Sequence, residues 1–270
     1  MPFWAPPGGW TLLDETVARV KPSTSPDRTV VVVDRAHRQH VDALWGPARS
    51  ARFVSQPKNR GTAAAALLGA TAIAETDPDA IVIVTPADLG IRDARLFADG
   101  LEQAVRAVES NETAIVLFGL EPEGASGNHG WIVPCRTMGV RTRGLQRVRA
   151  YVDRPWPTQA SRLFAEGGVW NAMVVVARLS ALLDAFKQYH PELAEFFRVY
   201  SLMPRAMREH YLADHYPLAP SVDLWREVLG PGAHLTSLFT WPAALGWSHL
   251  GFMDRPDGWF AADPLRGIAS

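Results

Sequence analysis

The segment running from residue 56 to residue 62 groups side chains that suit the binding of a nucleotide. It contains Gln56, Asn59, Arg60, Gly61 and Thr62. The two amide side chains carry paired donors and acceptors of the kind that recognise the edge of a base, and the arginine adds a fixed positive charge. We expect the hydroxyl of Thr62 to cap a helix over residues 63–74. The N-terminus of such a helix favours a ligand with acceptor atoms or negative charge.

A carboxylate follows the next strand along the chain. The apolar run over residues 81–84 is typical of a strand buried on both faces, and Asp88 comes shortly after it. Open α/β sheets bind their ligands at the carboxyl ends of their strands. Asp88 is therefore well placed to hold Mg2+, which prefers one or two carboxylates and completes its shell with water and phosphate oxygens. The local sequence leaves open that Asp88 instead caps a turn after Pro86.

The elements that must position these residues follow from the periodicity of the sequence. Helical and strand patterns alternate over residues 11–118, which favours a parallel sheet with right-handed crossovers. Strand patterns surround a short helix at residues 158–165, and residues 179–207 have a largely helical pattern. We predict an α/β fold with a Rossmann-like, mixed but mainly parallel sheet flanked by helices. We assign residues 1–251 to a single domain and residues 252–270 to a C-terminal tail.

Composition narrows the possible partners and the compartment. The 270 residues carry a net charge of −1, so nothing steers the protein toward nucleic acid or an anionic membrane. Cys135 is the only cysteine, which rules out an intramolecular disulfide and fits a reducing compartment. No apolar run approaches the roughly 20 residues of a membrane span. We predict a cytoplasmic protein without nucleic-acid or membrane partners.

Taken together, these segments resemble the sugar-phosphate nucleotidyltransferases, and most closely the mannose-1-phosphate guanylyltransferase branch. Residues 56–63 are similar to the base-binding segment of that family, and residues 85–89 to its Pro-Ser-Asp-His motif, whose aspartate binds the metal. Further similarities follow in the family's order at residues 118–122, 126–132, 151–155, 168–171 and 246–251. Each motif is short, but their order and spacing are hard to obtain by chance.

The resemblance implies the nucleotide-diphospho-sugar transferase fold and a site for two substrates, a nucleoside triphosphate, with GTP favoured, and a hexose 1-phosphate. The 56–62 segment would bind the nucleotide, Asp88 would bind Mg2+, and Asp88 and Arg154 would be the catalytic residues. The sugar phosphate would contact Gly130, Asp153, Arg154 and Asn171. Arg154 stands in place of the family's lysine and Asp153 in place of its glutamate. The alternative for these two residues is an ion pair at a strand end.

Two features depart from the family's pattern. The chain has no segment of the type Gly-Gly-x-Gly-x-Arg, the opening loop that wraps the nucleotide phosphates, and it lacks the usual first strand before that loop. We expect a misplaced start or a truncated gene, since a missing inner strand would leave buried groups unpaired, at about 1 to 3 kcal/mol each. His249 occupies the place of the family's second metal carboxylate. Because histidine suits Zn2+ or Mn2+ better than Mg2+, either the metal site is altered or, as we favour, His249 is not a ligand.

These residues predict nucleotidyl transfer, in which a nucleoside triphosphate and a sugar 1-phosphate give a nucleotide sugar, GDP-mannose in the branch resembled, and pyrophosphate. The alternative is a catalytically impaired homologue that binds nucleotide or sugar phosphate in a regulatory role. A glycosyltransferase of related fold ranks last, because residues 86–88 supply only the last carboxylate of an Asp-x-Asp motif. The tail and the apolar helices after residue 179 are compatible with a homodimer.

Overall fold

The computed structural model describes residues 2–7, 9–111, 113–135 and 144–249, so the predicted tail lies outside the described residues. The helices in these ranges are α1 (Leu12–Val20), α2 (Arg38–Asp42), α3 (Gly61–Ala74), α4 (Ala94–Glu109), α5 (Pro157–Ala165), α6 (Leu179–Tyr189), α7 (Pro191–Leu202) and α8 (Arg205–His215). A π-helical segment covers Leu224–Leu229. None of the helices in these ranges is long and apolar enough to cross a membrane.

The strands form one large sheet and two small ones. They are β1 (Val30–Asp34), β2 (Arg52–Gln56), β3 (Ile81–Val84), β4 (Leu89–Ile91), β5 (Ile115–Leu120), β6 (Trp131–Pro134), β7 (Gln146–Val152), β8 (Val169–Arg178), β9 (Ser237–Trp241) and β10 (Trp247–His249). The large sheet has the order β3-β8-β5-β9-β7-β6, whereas β1 pairs with β2 and β4 pairs with β10. The two small sheets adjoin the predicted site residues. β2 ends at Gln56, and β4 begins directly after Asp88.

The large sheet is mixed, but most of its strand pairs are antiparallel. β8 lies between β3 and β5 and runs antiparallel to both, and β7 runs antiparallel to β6 and β9. Within the described part of this sheet, β5 and β9 form the parallel pair. The predicted α/β class is confirmed, whereas these pairings correct the expectation of a mainly parallel sheet. A strand that is covered on both faces is apolar whichever way it runs, so the pattern of β8 did not reveal its direction.

Helices cover both faces of the large sheet, as predicted. All six residues of β5 are buried. Leu117 packs into a core with side chains of α3, α6 and α7, whereas its neighbours Val116 and Phe118 pack into a second core with α4. This alternation follows from the period of two in a β-strand. Layers of helices on both sides therefore hold the sheet edges, and the loops at those edges, in fixed positions.

Candidate functional site

A cavity of about 230 Å³ lies beside the end of β2. It is bordered by residues 31–34 of β1 together with Gln56, Asn59 and Ala87. Two of the predicted nucleotide residues therefore share one cavity with the residue that precedes Asp88. The other predicted nucleotide residues lie at the start of α3, directly after Asn59 in the chain.

Gln56 is held by a tyrosine that is distant in sequence. Its side chain is 8% exposed, and its side-chain oxygen accepts a hydrogen bond of 2.8 Å from the hydroxyl of Tyr216. Burial raises the pKa of Tyr216, and the charge of Asp34 raises it further, so this hydroxyl remains a donor at neutral pH. The bond commits the acceptor end of the amide, which leaves the NH2 end of Gln56 to recognise a base.

Helix α3 begins at Gly61, and Arg60 is its N-cap residue. Gly61 has a φ of +82°, a backbone conformation that glycine adopts without strain. Asn59 turns its side-chain oxygen onto the N–H of Gly61 at 2.8 Å. The N-cap therefore lies two residues before Thr62, which corrects the expectation that the Thr62 hydroxyl caps this helix.

Thr62 instead binds a segment that comes much later in the chain. Its hydroxyl oxygen accepts a hydrogen bond of 2.8 Å from the N–H of Leu224. The N–H of Ala63 donates to the carbonyl of Val222 at 3.1 Å, so part of the helix N-terminus is already satisfied within the protein. By contrast, the Nε atom of Arg60 is buried and has no hydrogen-bond partner among the described residues. Arg60 therefore adds an unsatisfied donor for an anionic ligand at this end of the helix.

Three of the predicted sugar-phosphate residues lie close to Tyr151, near the end of β7. Its hydroxyl donates to the carboxylate of Asp153 at 3.4 Å. A Cβ atom added to Gly130 would lie 2.5 Å from that hydroxyl, so glycine allows the close approach. The N–H of Asn171 donates to the carbonyl of Gly130 at 2.7 Å. We name these four residues, Gly130, Tyr151, Asp153 and Asn171, the sugar wall.

The burial of the sugar wall keeps the hydroxyl of Tyr151 protonated. Burial raises the pKa of Tyr151, the charge of Asp153 raises it further, and a hydrogen bond with Asn171 opposes the rise. The charge of Asp223 adds a smaller increase. Tyr151 therefore stays neutral and keeps its hydrogen for Asp153. Asn171 is 4% exposed, and its side-chain oxygen accepts a bond of 2.9 Å from the N–H of Met173.

A second cavity, of about 650 Å³, contains Arg154. It is lined by Leu120, Glu121, Glu123, Asn128, His129, Arg154, Trp170, Ala243, Trp247 and Ser248. Arg154 forms no ion pair within the described parts of the chain, so the alternative of a local pair with Asp153 is not observed. Its φ of +37° is unusual for a residue with a side chain. An unpaired guanidinium in a cavity is suited to bind a phosphate.

One side of the larger cavity is aromatic. The ring of His129 lies 4.5 Å from that of Trp170 and 5.6 Å from that of Trp247, measured between ring centroids. These residues come from the loop before β6, from β8 and from β10. Trp170 packs in turn on the fully buried Trp131, at 6.4 Å between centroids. The aromatic side is therefore anchored in the core of the protein.

Asp88 lies in the turn between β3 and β4, and each side of this turn leads to the lining of a different cavity. Ala87, on one side of it in the chain, borders the smaller cavity. β4, on its other side, pairs with β10, whose Trp247 and Ser248 border the larger cavity. The carboxylate of Asp88 accepts no hydrogen bond from any residue that the structure describes. The turn thus joins the two halves of the predicted site.

The donor set near Asp88 fits a metal that is bound mostly by water and substrate. In the described ranges no group of three or more His, Cys, Asp or Glu side chains is placed to hold a metal ion. A single carboxylate suits Mg2+ completed by water and phosphate oxygens, and it does not suit a site made only of protein ligands. The β4–β10 ladder places the backbone of His249 opposite Leu89, one residue from Asp88. The side chain of His249 lies outside the described part of the chain.

Three residues with clear roles in this arrangement had no role in the sequence prediction. Tyr151 opens a motif that the prediction used, yet only its later residues were assigned. Tyr216 carries no local signal, because its partner Gln56 is 160 positions away. Asp223 directly precedes the apolar pair Leu224 and Trp225, and an aspartate in that place is typical of a helix N-cap, so this signal could have drawn attention to the segment.

The chain is similar to known proteins over most of its length. The alginate biosynthesis protein AlgA of Pseudomonas fluorescens is 28% identical over 194 residues, which cover 71% of this chain and 39% of AlgA. The mannose-1-phosphate guanylyltransferase of Salmonella muenchen is 24% identical over 275 residues, which cover 98% of this chain and 56% of that protein. The chain thus spans between about two fifths and three fifths of the length of these relatives.

A solved structure and a family model complete the comparison. The crystal structure described as mannose-1-phosphate geranyltransferase from Thermus thermophilus has a TM-score of 0.80 at 24% identity and covers 95% of this chain and 71% of that one, which shows a shared fold. A family model described as "Nucleotidyl transferase" matches residues 5–254. The resemblance predicted from the motifs is therefore confirmed, and the chain belongs to the nucleotidyl transferase family.

Proposed function

We propose that this chain transfers a nucleotidyl group from a nucleoside triphosphate to a sugar 1-phosphate and releases pyrophosphate. The observation that supports this most is that Asp88 lies in a turn next to both cavity linings, since Ala87 before it borders the smaller cavity and β4 after it pairs with β10, which borders the larger one. The smaller cavity contains Gln56 and Asn59, which suit a base. The larger contains Arg154, which has no ion-pair partner among the described residues and suits a phosphate. A carboxylate in this turn is suited to hold a metal ion that binds the phosphates of the substrates.

The proposed reaction exchanges one P–O bond for another. An oxygen of the sugar phosphate attacks the α-phosphorus, and the bond from that phosphorus to the pyrophosphate oxygen breaks. Such a transfer depends on alignment and charge stabilisation more than on acid–base groups. Arg154 would hold the attacking phosphate, and Arg60 would place a cation on the nucleotide side. Mg2+ bound at Asp88 would supply charge neutralisation at the phosphates.

GTP and mannose 1-phosphate are the specific substrates that we propose. The side-chain oxygens of Gln56 and Asn59 are both committed within the protein, to Tyr216 and to Gly61. Both amides therefore have NH2 donors left, and two donors match the O6 and N7 acceptors of guanine better than the mixed edge of adenine. The names of the relatives support mannose 1-phosphate as the second substrate and GDP-mannose as the product.

A direct assay tests this proposal. The purified chain is incubated with GTP, mannose 1-phosphate and Mg2+ while pyrophosphate is measured, and GTP binding is followed by calorimetry. We expect pyrophosphate release that requires both substrates and that is slower with ATP. A chain that neither binds GTP nor releases pyrophosphate would contradict the proposal.

A second candidate function is nucleotide or sugar-phosphate binding in a regulatory role. It is favoured by the hydrogen bonds that already engage Thr62 and the first turn of α3 within the protein, because they leave fewer donors for a triphosphate. GTP binding without turnover in the same assay selects this function. The cytoplasmic location and the homodimer stay predictions from the sequence, and light scattering after size-exclusion chromatography tests the dimer.

A further inference from the structure

The segment from Val222 to Leu229 contacts both halves of the proposed site. On the nucleotide side, the N–H of Val222 donates to the carbonyl of Arg60 at 3.2 Å, and the carbonyl of Val222 accepts from the N–H of Ala63 at 3.1 Å. A Cβ atom added to Gly61 would lie 2.2 Å from the carbonyl oxygen of Val222. The later segment is therefore pressed directly against the start of α3.

The carboxylate of Asp223 has two tasks at this contact. One oxygen accepts hydrogen bonds from the N–H groups of Trp225 at 3.0 Å and Arg226 at 2.8 Å, and so caps the π-helical segment. The other oxygen accepts the hydroxyl hydrogen of Thr62 at 3.3 Å. The N–H of Asp223 also donates to the carboxylate of Glu227 at 3.0 Å. Asp223 thus joins the end of its own helix to the nucleotide segment.

The opposite side of the same segment packs on the sugar wall. The rings of Trp225 and Tyr151 lie 6.4 Å apart between centroids. A Cβ atom added to Gly230 would lie 2.9 Å from the ring of Tyr151, so the segment closes tightly over that ring. π-helical turns are rare and occur frequently at functional sites. A single short element therefore touches the residues that would bind the base and the residues that would bind the sugar.

We propose that Asp223 is a positioning residue that couples the nucleotide segment, residues 56–62, to the sugar wall. The inference rests on the proposed nucleotidyl transfer, in which the attacking oxygen and the α-phosphorus must be aligned. Because a misplacement of about 1 Å costs such a reaction about a hundredfold in rate, a rigid link between the two half-sites has a direct effect on turnover. Asp223 contacts Thr62 directly and reaches Tyr151 through Trp225, and it does not act on the substrates itself.

Hydrogen exchange of the ligand-free protein tests the coupling without relying on activity. Asp223→Ser keeps a side chain that caps helices well, but the serine is too short to reach Thr62. We expect amide exchange to become at least about threefold faster both at residues 61–64 and at residues 150–153. The matched control is Asp93→Ser, since Asp93 caps α4 by accepting from the N–H of Leu96 at 2.9 Å.

The control should change exchange only in the first turn of α4. If Asp223→Ser leaves residues 150–153 unchanged, the coupling is contradicted. Thr62→Val removes this link from the other side, together with the acceptor of the Leu224 N–H, and covers the case in which Asp223→Ser does not fold. It should accelerate exchange at residues 150–153 as well, whereas Thr62→Ser, which keeps the hydroxyl, should not.

A double-mutant cycle tests the consequence for turnover. Asp223→Ser and Thr62→Val should each lower kcat/KM for the sugar phosphate by about 10- to 100-fold, and the double variant should lose no more than the more affected single variant. Losses that multiply in the double variant would overturn the inference. If the unmodified chain releases no pyrophosphate, the proposed function fails, and the exchange experiment still decides whether the two half-sites are coupled.

Discussion

The hydroxyl of Tyr216 and the side-chain oxygen of Gln56 form a buried hydrogen bond of 2.8 Å across 160 positions of the sequence. This bond fixes which end of the Gln56 amide remains for a ligand. Tyr216, which directly follows α8, does not border the nucleotide cavity, but it holds Gln56, which does. The base preference of the chain should therefore depend on Tyr216.

We expect Tyr216→Phe to destabilise the protein and to weaken base selection. The substitution leaves the Gln56 oxygen buried without its donor, at a cost of about 1 to 3 kcal/mol in the free energy of unfolding. Urea denaturation measures this cost, and calorimetry with GTP and ATP measures the selectivity. Tyr211→Phe is the control, because Tyr211 stacks on His215 at the surface of α8. Equal stability of the two variants would contradict the role of the bond.

The buried tyrosines predict a loss of stability at alkaline pH. Burial raises the pKa of both Tyr151 and Tyr216 in the folded protein, so the unfolded chain ionises first, near pH 10. The stability that they contribute is present below about pH 10 and is lost as the pH rises further. Urea midpoints from pH 8 to pH 11 measure the effect. Tyr216→Phe should show a shallower decline, and an identical decline would refute the assignment.

Two glycines allow the cost of backbone strain to be measured separately from the cost of a steric collision. Gly61 and Gly144 both have a φ of +82°, so an alanine at either position is strained by about 1 to 2 kcal/mol. Among the described residues, a Cβ atom at Gly144 meets nothing within 4 Å, whereas at Gly61 it would collide with the carbonyl of Val222. We expect Gly61→Ala to lower the melting temperature clearly more than Gly144→Ala does. Equal shifts would mean that the segment after Val222 moves away at little cost.

Arg154 should govern the affinity for the sugar phosphate. A hydrogen bond to a charged group contributes about 1.5 to 3 kcal/mol, so Arg154→Ala should raise KM for that substrate by about 10- to 100-fold. Arg154→Lys keeps the charge without the planar fork and should lose less. Arg149→Ala is the control, since Arg149 is paired with Glu166 at 2.6 Å. Steady-state kinetics provide the measurement, and an unchanged KM in Arg154→Ala would argue against phosphate binding there.

Asp88 should be required for metal-dependent turnover. Asp88→Ala removes the carboxylate proposed to hold the metal ion, and we expect it to abolish pyrophosphate release at every Mg2+ concentration. Asp99→Ala, on the exposed side of α4, is the matched control. A Mg2+ titration of both variants provides the measurement. Turnover of Asp88→Ala at the normal rate would reject the role of this residue.

Local sequence was sufficient for much of the fold. The strand predicted at residues 81–84 is β3 as observed, and the helix predicted to end at residue 74 is α3 with an earlier start. Apolar periodicity and turn residues encode such elements within a few positions of the chain. The direction of β8 could not be obtained in this way, because a strand covered on both faces has the same apolar pattern in either direction.

The same distinction between local sequence and tertiary structure applies to the candidate site. The sequence by itself determined the kinds of side chain in the nucleotide segment, the carboxylate after β3 and the order of motifs that indicates the family. The tertiary structure alone decided that Gln56 is bound by Tyr216, that Thr62 binds the segment at Asp223 instead of capping α3, and that Tyr151 gathers the sugar wall. These partners lie far apart in the sequence, and a hydrogen bond over such a separation depends on how packed helices and sheets place two surfaces, which no local pattern of residues encodes.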